Sequence, residues 1–146
     1  MKTWHFVEIK AQLPDGAWMH EPDKAQWIDE KTGLDCLIVR GGSGALCGYV
    51  GVPESHKAYS VDYDDCSLES ITVHGGLTFA GLCQENNPHG VCHSGVVANE
   101  KVWWLGFDCA HFGDSCPSHG SFSKYETYKD FDYVKAEATS LARQLA

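Results

Sequence analysis

The most hydrophobic stretch of the chain is Lys101-Val-Trp-Trp-Leu-Gly-Phe-Asp-Cys109. Aromatic and β-branched side chains dominate it, and it lacks the regular polar alternation of a strand that has one face in water. We therefore expect a central strand that is buried on both faces near its middle. Its apolar character ends at Asp108, and His111 and Asp114 follow in a segment that turns at Gly113.

Two β-rich runs precede this strand in the chain. Residues Leu34–Arg40 and Ala45–Val52 are joined by Gly41-Gly-Ser-Gly44, and Pro53 follows the second run. Short apolar runs that are separated by a glycine-rich turn are typical of a β-hairpin. The sequence therefore predicts two antiparallel strands with a four-residue turn.

Two further strands are expected from weaker patterns. Thr3–Ile9 shows a mixed period of two, which indicates a first strand. Ser70–Ala80 reads as one strand that is bent at Gly75-Gly76, because adjacent glycines within a strand usually mark a bulge.

Helical patterns are few. A short helix is the most that we expect over Asp23–Asp29, whereas Phe131–Gln144 predicts a full amphipathic helix with Asp130 or Asp132 at its N-terminus. Its apolar stripe consists of Val134, Ala138, Leu141 and Leu145. The fold class that we expect is α+β: one domain over residues 1–146, with an antiparallel or mixed β-sheet, the C-terminal helix packed on one face, and long polar loops.

Composition limits the possible partners. The formal charge of -9 and the scattering of eleven Lys and Arg residues argue against general nucleic-acid binding. The N-terminal residues have no long apolar run, so we expect neither a secretion signal nor a membrane segment, and we expect a cytoplasmic protein. In that compartment the seven cysteines are expected to stay reduced. A flat exposed strand edge would also make a homo-oligomer plausible.

The end of the predicted central strand carries the strongest candidate site. Asp108, His111 and Asp114 emerge there, and His74 lies at another strand-to-turn transition. If the two strands are neighbours, two imidazoles and two carboxylates converge, a set that suits acid–base catalysis or a divalent metal. The alternative is ordinary turn chemistry, in which the Asp residues cap turns and the imidazoles bind backbone atoms.

A second candidate is a metal site in the loop after Gly81. Cys83, Cys92 and His93, with Cys109 to complete the set, offer thiolate and imidazole ligands that suit zinc. His89 and Cys116 are further possible ligands. The spacing lacks a Cys-x2-Cys knuckle, so the competing interpretation is that these cysteines are reduced thiols packed as small apolar side chains.

Several residues are candidates for holding a small molecule. Arg40 next to a glycine-rich turn offers a cation and backbone N–H groups for an anion, although the segment is not a P-loop and a plain hairpin turn is the competing interpretation. The loop with His56, Tyr59 and Tyr63 could fold over the strand ends as the wall of a pocket, or could be a solvated acidic loop. A thiol nucleophile, Cys47 or Cys109, is a less favoured possibility, because neither residue begins a predicted helix.

Three motifs extend this picture. The segments Gly48-Tyr-Val-Gly-Val-Pro53, Val73-His-Gly-Gly-Leu-Thr-Phe79 and Trp103–Asp114, followed by the C-terminal helix, resemble a family of small proteins encoded by bacteriophages and prophages. The resemblance covers roughly residues 17 to 145. It implies a protein of the host cytoplasm, in a context where some small phage proteins bind or destroy nucleotide-derived signals.

Three functional hypotheses follow. The first is a module that sequesters a nucleotide-derived ligand: Tyr59, Trp104 and Phe107 would stack on a ring, while Arg40 and the amides of Gly75-Gly76 would hold a phosphate. The second is a metal-dependent hydrolase that uses the His74 constellation and a divalent ion such as zinc. The third is a domain that interacts with host proteins and has no small ligand.

Overall fold

The protein was analysed as a computed structural model, which describes residues 1–84, 87–94, 101–119 and 124–146. Six strands form one antiparallel sheet in the order β1-β2-β3-β4-β6-β5. The strands are β1 Lys2–Trp4, β2 Lys24–Ile28, β3 Asp35–Arg40, β4 Leu46–Pro53, β5 Phe79–Leu82 and β6 Val102–Asp108. The predicted α+β class, with a C-terminal helix against the sheet, is confirmed.

The helices within the described residues are α1 Val7–Lys10, α2 Phe131–Leu145 and three short 3₁₀ helices at Ala17–His20, Cys66–Leu68 and Pro117–His119. Helix α2 begins where Asp130 accepts a hydrogen bond from the Tyr133 N–H, as an N-cap should. Its buried side chains form the predicted stripe with Ala142 added. In the described part of the chain, no helix has the length and apolar character needed to cross a membrane.

Alternation along the strands separates the core into two layers. On the α2 side, Ile38, Val50, Leu105 and Phe107 pack against the helix. On the opposite side, Leu37, Val39, Tyr49 and Trp104 form a second cluster. Because neighbouring residues of a strand point to opposite faces, β6 is buried on both faces, as its apolar sequence predicts.

The hairpin of β3 and β4 and the interior position of β6 confirm two predictions. Three others are wrong. The strand expected at Thr3–Ile9 ends at Trp4 and the chain turns into α1, while the segment Asp23–Asp29, expected to be at most a short helix, contains strand β2. Strand β2 forms because it lies between β1 and β3, whose backbone hydrogen bonds outweigh a weak local preference.

The bent strand predicted over Ser70–Ala80 is the third correction. Gly75 and Gly76 have φ angles of 69° and 80°, so the pair forms a left-handed turn that no strand can pass through. Strand β5 begins only at Phe79. The turn nevertheless places His74 beside the end of β6.

Candidate functional site

His74 lies in a chain of hydrogen bonds at the end of the sheet. Its Nε2 atom donates to the Asp114 carboxylate at 2.8 and 3.0 Å, and its Nδ1 atom lies 2.8 Å from the Tyr133 hydroxyl. The imidazole thus joins a buried carboxylate to a tyrosine on the first turn of α2 that is 38% exposed. A carboxylate on one ring nitrogen fixes the tautomer and orientation of the other.

Asp114 is the anchor of this network. Besides His74 it accepts a hydrogen bond from the His111 backbone N–H at 3.0 Å, and the Lys129 ammonium lies 3.1 Å from it. Burial alone would raise the pKa of Asp114, but these donors stabilise the carboxylate and bring its pKa below the usual value. The carboxylate is therefore ionised throughout the neutral range.

Asp108 and His111 form a second imidazole–carboxylate pair. Asp108 Oδ1 lies 3.1 Å from His111 Nε2, and Asp108 Oδ2 accepts a hydrogen bond from the Thr78 hydroxyl. The contact does not meet the geometry of a hydrogen bond, and His111 Nε2 is buried without a hydrogen-bond partner among the described residues. Both side chains are about one-third exposed, but the nitrogen that faces Asp108 is itself shielded from solvent.

The two pairs lie side by side, because the rings of His74 and His111 are 6.1 Å apart. Gly75 makes this approach possible, since a Cβ atom there would lie 2.3 Å from the His111 ring. All four residues of the predicted constellation, His74, Asp108, His111 and Asp114, therefore come together. Sequence reasoning missed Tyr133 and Lys129, although the helical cap at Asp130 is a signal that could have placed Tyr133 in the first turn of α2.

The four residues of the constellation are not arranged as metal ligands. Within the described residues, no group of three His, Cys, Asp or Glu side chains has the geometry of a metal site. Asp114 already faces His74 and Lys129, and Asp108 faces His111 and Thr78. The arrangement suits proton transfer by a base that a carboxylate orients.

The predicted zinc site at Cys83, Cys92, His93 and Cys109 does not form. Cys83 and Cys92 are joined in a disulfide, so neither can supply a thiolate. His93 instead has its Nε2 atom 2.9 Å from the Cys36 carbonyl oxygen, and Cys109 is a buried free thiol at the end of β6. The disulfide also departs from the expectation that the cysteines stay reduced.

Alkylation of the denatured protein should report this pairing directly. With seven cysteines and one disulfide, intact mass should show five alkylated thiols without reductant and seven after reduction. In the Cys83→Ser variant without reductant, Cys92 should be the one additional thiol that is alkylated. Seven alkylated thiols in the protein before any reduction would contradict the disulfide.

Arg40 is not available to a ligand, contrary to the prediction. Its guanidinium is buried and donates to Asp23 at 2.7 Å, to the carbonyl oxygens of Pro22 and Gly44, and to the Tyr128 hydroxyl. Asp23 is also fully buried, so this is an internal ion pair. Arg40 joins β3 to the segments around it through these four hydrogen bonds, and the Glu21 carboxylate lies 3.6 Å from its Nη2 atom, so the guanidinium is taken up by partners within the protein.

The other predicted ligand residues are dispersed. Trp104 and Phe107 are each 1% exposed and lie on opposite faces of the sheet, so they cannot stack on one ligand. His56 has its Nε2 atom 2.7 Å from the Leu145 carbonyl oxygen at the end of α2, and Tyr59 packs against Trp103. Tyr63 is partly exposed in the same loop.

Gly75 and Gly76 also do not have the predicted role, in which their backbone amides would bind a phosphate. Gly75 packs against the His111 ring, and the Gly76 N–H donates to the Val73 carbonyl oxygen. The pair therefore shapes the turn that brings His74 and His111 together.

Neither candidate thiol nucleophile is activated. Burial raises the pKa of Cys47 to about 11, and burial together with Asp114 raises the pKa of Cys109 still further. A thiol of this kind remains protonated at neutral pH and is a poor nucleophile.

A cleft of about 540 Å³ lies on the face of the sheet opposite α2. Tyr49 and Phe79 meet edge to face across its floor, with ring centroids 5.4 Å apart. Polar groups at its margin include the paired side chains of Glu8 and His89 and the side chain of Gln84. The described lining is Glu8, Ile9, Gln12, Leu13, Val39, Arg40, Gly41, Gly42, Gly44, Tyr49, Phe79, Gln84, His89, Val91 and Ser118.

Asp108 lies on the cleft side of the sheet, although neither Asp108 nor His111 is among the residues that line the cleft. Asp108 is paired in register with Cys47, on the same sheet face as Tyr49. Burial raises the pKa of Tyr49 above its usual range, and nearby Cys47 and Asp108 raise it further, so its phenol stays neutral. Thr78, which donates to Asp108, directly precedes Phe79 in the chain.

Comparison of the chain with protein-family models, curated proteins and solved structures finds no significant match. The functional argument therefore depends on the geometry of the cleft.

Proposed function

We propose that the protein binds a small, flat organic molecule in the cleft opposite α2. The observation that carries the proposal is the cleft itself, whose volume of about 540 Å³ falls within the range of small-molecule sites. An apolar floor with a few polar groups at the margin is the usual composition of such a site.

The floor indicates the shape of the ligand. Tyr49 and Phe79 present aromatic surface, and Val39 and Val91 extend it. Aromatic side chains of this kind favour planar ring systems, which they contact by stacking or by their edges. The side-chain amide nitrogen of Gln84 and the backbone of Gly42 lie beside that floor, whereas the Gly41 backbone groups are used within the hairpin turn.

The charge of the lining limits the ligand further. Among the described lining residues, Arg40 is the one Lys or Arg side chain, and its guanidinium is engaged by Asp23 and its other partners. Phosphate groups need a cation or several free N–H donors. A nucleotide-derived ligand would thus be held through its base and sugar, which makes a nucleoside a better fit than a nucleotide.

The cellular setting that we propose comes from the sequence resemblance. A small phage-encoded protein that sequesters a nucleoside-like molecule would act in the cytoplasm of the infected cell. Sequestration requires only that the ligand be retained, which the cleft geometry supports.

A thermal-shift screen tests the binding proposal. Ribonucleosides should raise the melting temperature, since a ligand that binds the folded state alone stabilises it. Cyclic nucleotides and ADP-ribose should have smaller effects, because their phosphates find no free cation. If the phosphate-bearing compounds alone raise the melting temperature, the proposed ligand class is wrong.

Phe79→Ala should weaken the binding of the best nucleoside by about 10-fold, roughly 1.4 kcal/mol, because it removes half of the aromatic floor. Leu82→Ala, in the same strand and 54% exposed, is the matched control because Leu82 is not part of the cleft lining. Equal affinities for the two variants, measured by calorimetry, would contradict the assignment of the cleft.

A further inference from the structure

The Cys83–Cys92 disulfide lies beside two residues that line the cleft, because Gln84 follows Cys83 and Val91 precedes Cys92. We propose that this disulfide is a reversible redox switch of the cleft. A thiol reductant opens it, strand β5 loosens, and the cleft loses affinity for its ligand. This inference rests on the proposed binding function and adds its regulation.

One side of the disulfide is held firmly to the rest of the protein. Val91, next to Cys92, is 5% exposed. The ammonium group of the buried Lys24 donates to the Gly90 carbonyl oxygen at 3.2 Å. On the other side of Cys92, His93 has its Nε2 atom 2.9 Å from a backbone carbonyl oxygen of β3. These contacts do not depend on the disulfide, so this side stays in place when the disulfide is reduced.

The other side of the disulfide is held less firmly. Cys83 directly follows β5, which is the last strand in the sheet order and whose four residues are all partly or largely exposed. Leu82 at the end of β5 is 54% exposed. Two hydrogen bonds of 3.1 Å between Gln84 and Val91 are the other described links across the disulfide. A short edge strand of this kind opens readily by local unfolding once a tether is lost.

Strand β5 carries half of the aromatic floor of the cleft. Phe79 is its first residue and meets Tyr49 edge to face, with ring centroids 5.4 Å apart. The disulfide fastens the far end of β5 to the firmly held side, so it keeps Phe79 and Gln84 in their places in the lining. A site that is already ordered binds more tightly than one that the ligand must order. Reduction should therefore weaken binding without removing a lining residue.

The exchange reaction needs only a thiol reductant, of the glutathione class. Both cysteines are partly exposed, so a small thiol can reach them. A thiolate attacks one sulfur, the bond between the two cysteine sulfurs breaks, and the other sulfur leaves as a thiolate. A second thiolate then attacks the mixed disulfide and releases the cysteine. Two reductant thiols become one disulfide, and two electrons and two protons pass to Cys83 and Cys92.

The proposed cytoplasmic setting favours a switch over a permanent brace. Disulfides in that compartment are usually transient, catalytic or redox-sensing, because the thiol pool reduces them. Among the free cysteines, Cys36, Cys109 and Cys116 are buried, whereas Cys66 is exposed. Cys66 therefore provides the control for effects of the reductant on another accessible thiol.

The direct test is amide hydrogen exchange of wild type with and without reduced glutathione. Excess reduced glutathione should raise the count of alkylated thiols from five to seven. The β5 amides should then exchange at least about 10-fold faster, whereas those of β3 in the sheet interior should not change. Oxidised glutathione should restore both values. A disulfide that stays intact in excess reduced glutathione, or unchanged β5 exchange after reduction, would overturn the switch.

A double variant, Cys83→Ser with Cys92→Ser, separates the disulfide from other effects of the reductant. It should exchange like reduced wild type in either buffer. Cys66→Ser is the matched control, since it removes an exposed thiol and keeps the disulfide, and it should respond as wild type does. If β5 of the double variant still responds to glutathione, another group is responsible and the switch is wrongly assigned.

Calorimetry with adenosine, guanosine, cytidine and uridine separates this inference from the binding proposal. The nucleoside that binds oxidised wild type most tightly should bind the reduced protein about 10-fold more weakly. Equal affinities in the two states would end the proposed regulation and leave the binding intact. If no nucleoside binds the oxidised protein, the binding proposal is wrong. Faster β5 exchange on reduction would then still support the release of β5, and unchanged exchange would overturn that as well.

Discussion

Arg40→Met should destabilise the protein by about 3–5 kcal/mol, measured by chemical denaturation. The substitution keeps an apolar chain of similar length but leaves the buried Asp23 carboxylate without its closest charged partner, at 2.7 Å. Lys10, 3.2 Å from the same carboxylate, and the Phe6 N–H limit the loss. Removing one member of a buried pair is costly because the remaining charge stays out of water.

Arg143→Met is the matched control for this prediction. Arg143 is 3.6 Å from Asp29 but its side chain is 48% exposed, so its loss should cost less than about 1 kcal/mol. Similar losses for the two variants would mean that Arg40 does not hold the hairpin to its surroundings.

Asp114→Ala should destabilise the protein by about 2–4 kcal/mol, because it leaves the His111 N–H, His74 and Lys129 without their shared acceptor. The folded state lowers the pKa of Asp114 below the usual 3.8. The stabilisation is therefore fully present above that value and is lost as the pH falls through the lower folded-state pKa.

Denaturation of wild type and Asp114→Ala across pH checks this dependence. The difference in free energy of unfolding should be constant near neutral pH and should shrink in acid. Asp64→Ala, at an exposed position, should match wild type at every pH. A difference that grows as the pH falls would contradict the sign of the shift.

Local sequence pattern was sufficient to predict the strands and the helix whose formation depends mainly on their own residues. The glycine turn at 41–44 predicts the β3–β4 hairpin, and the all-apolar run before Asp108 predicts an interior strand. The stripe of α2 and its Asp130 cap are likewise local features. Strand β2 was missed because its stability comes from pairing with β1 and β3, which its own sequence does not reveal.

The candidate site was predicted only in part, because local pattern reveals some of its residues and not the contacts between distant segments. Polar groups at the end of β6 are visible as Asp108, His111 and Asp114, and they do meet His74. Their partner Tyr133 comes from a helix distant in the chain. No local pattern shows that contact.

The cleft could not be predicted. Its floor comes from β3, β4 and β5, and its margins come from α1 and from the loop that the Cys83–Cys92 disulfide closes. Those segments are far apart in sequence and become neighbours through the order of the strands. Arg40 was misassigned because a buried Asp23 partner is indistinguishable in sequence from a surface one.

The central claim, that the cleft binds a nucleoside-like molecule, is tested most directly by blocking it. Gly42 lines the cleft, has no positive φ, and leaves open space within 4 Å of the point where a Cβ atom would lie, so Gly42→Phe should fold normally while adding bulk to the cleft wall. Calorimetric titration with adenosine, guanosine, cytidine, uridine and nicotinamide riboside should show at least one that binds wild type and binds Gly42→Phe at least about 10-fold more weakly. Equal binding to both proteins, or no binding of any of the five to wild type, would contradict the account.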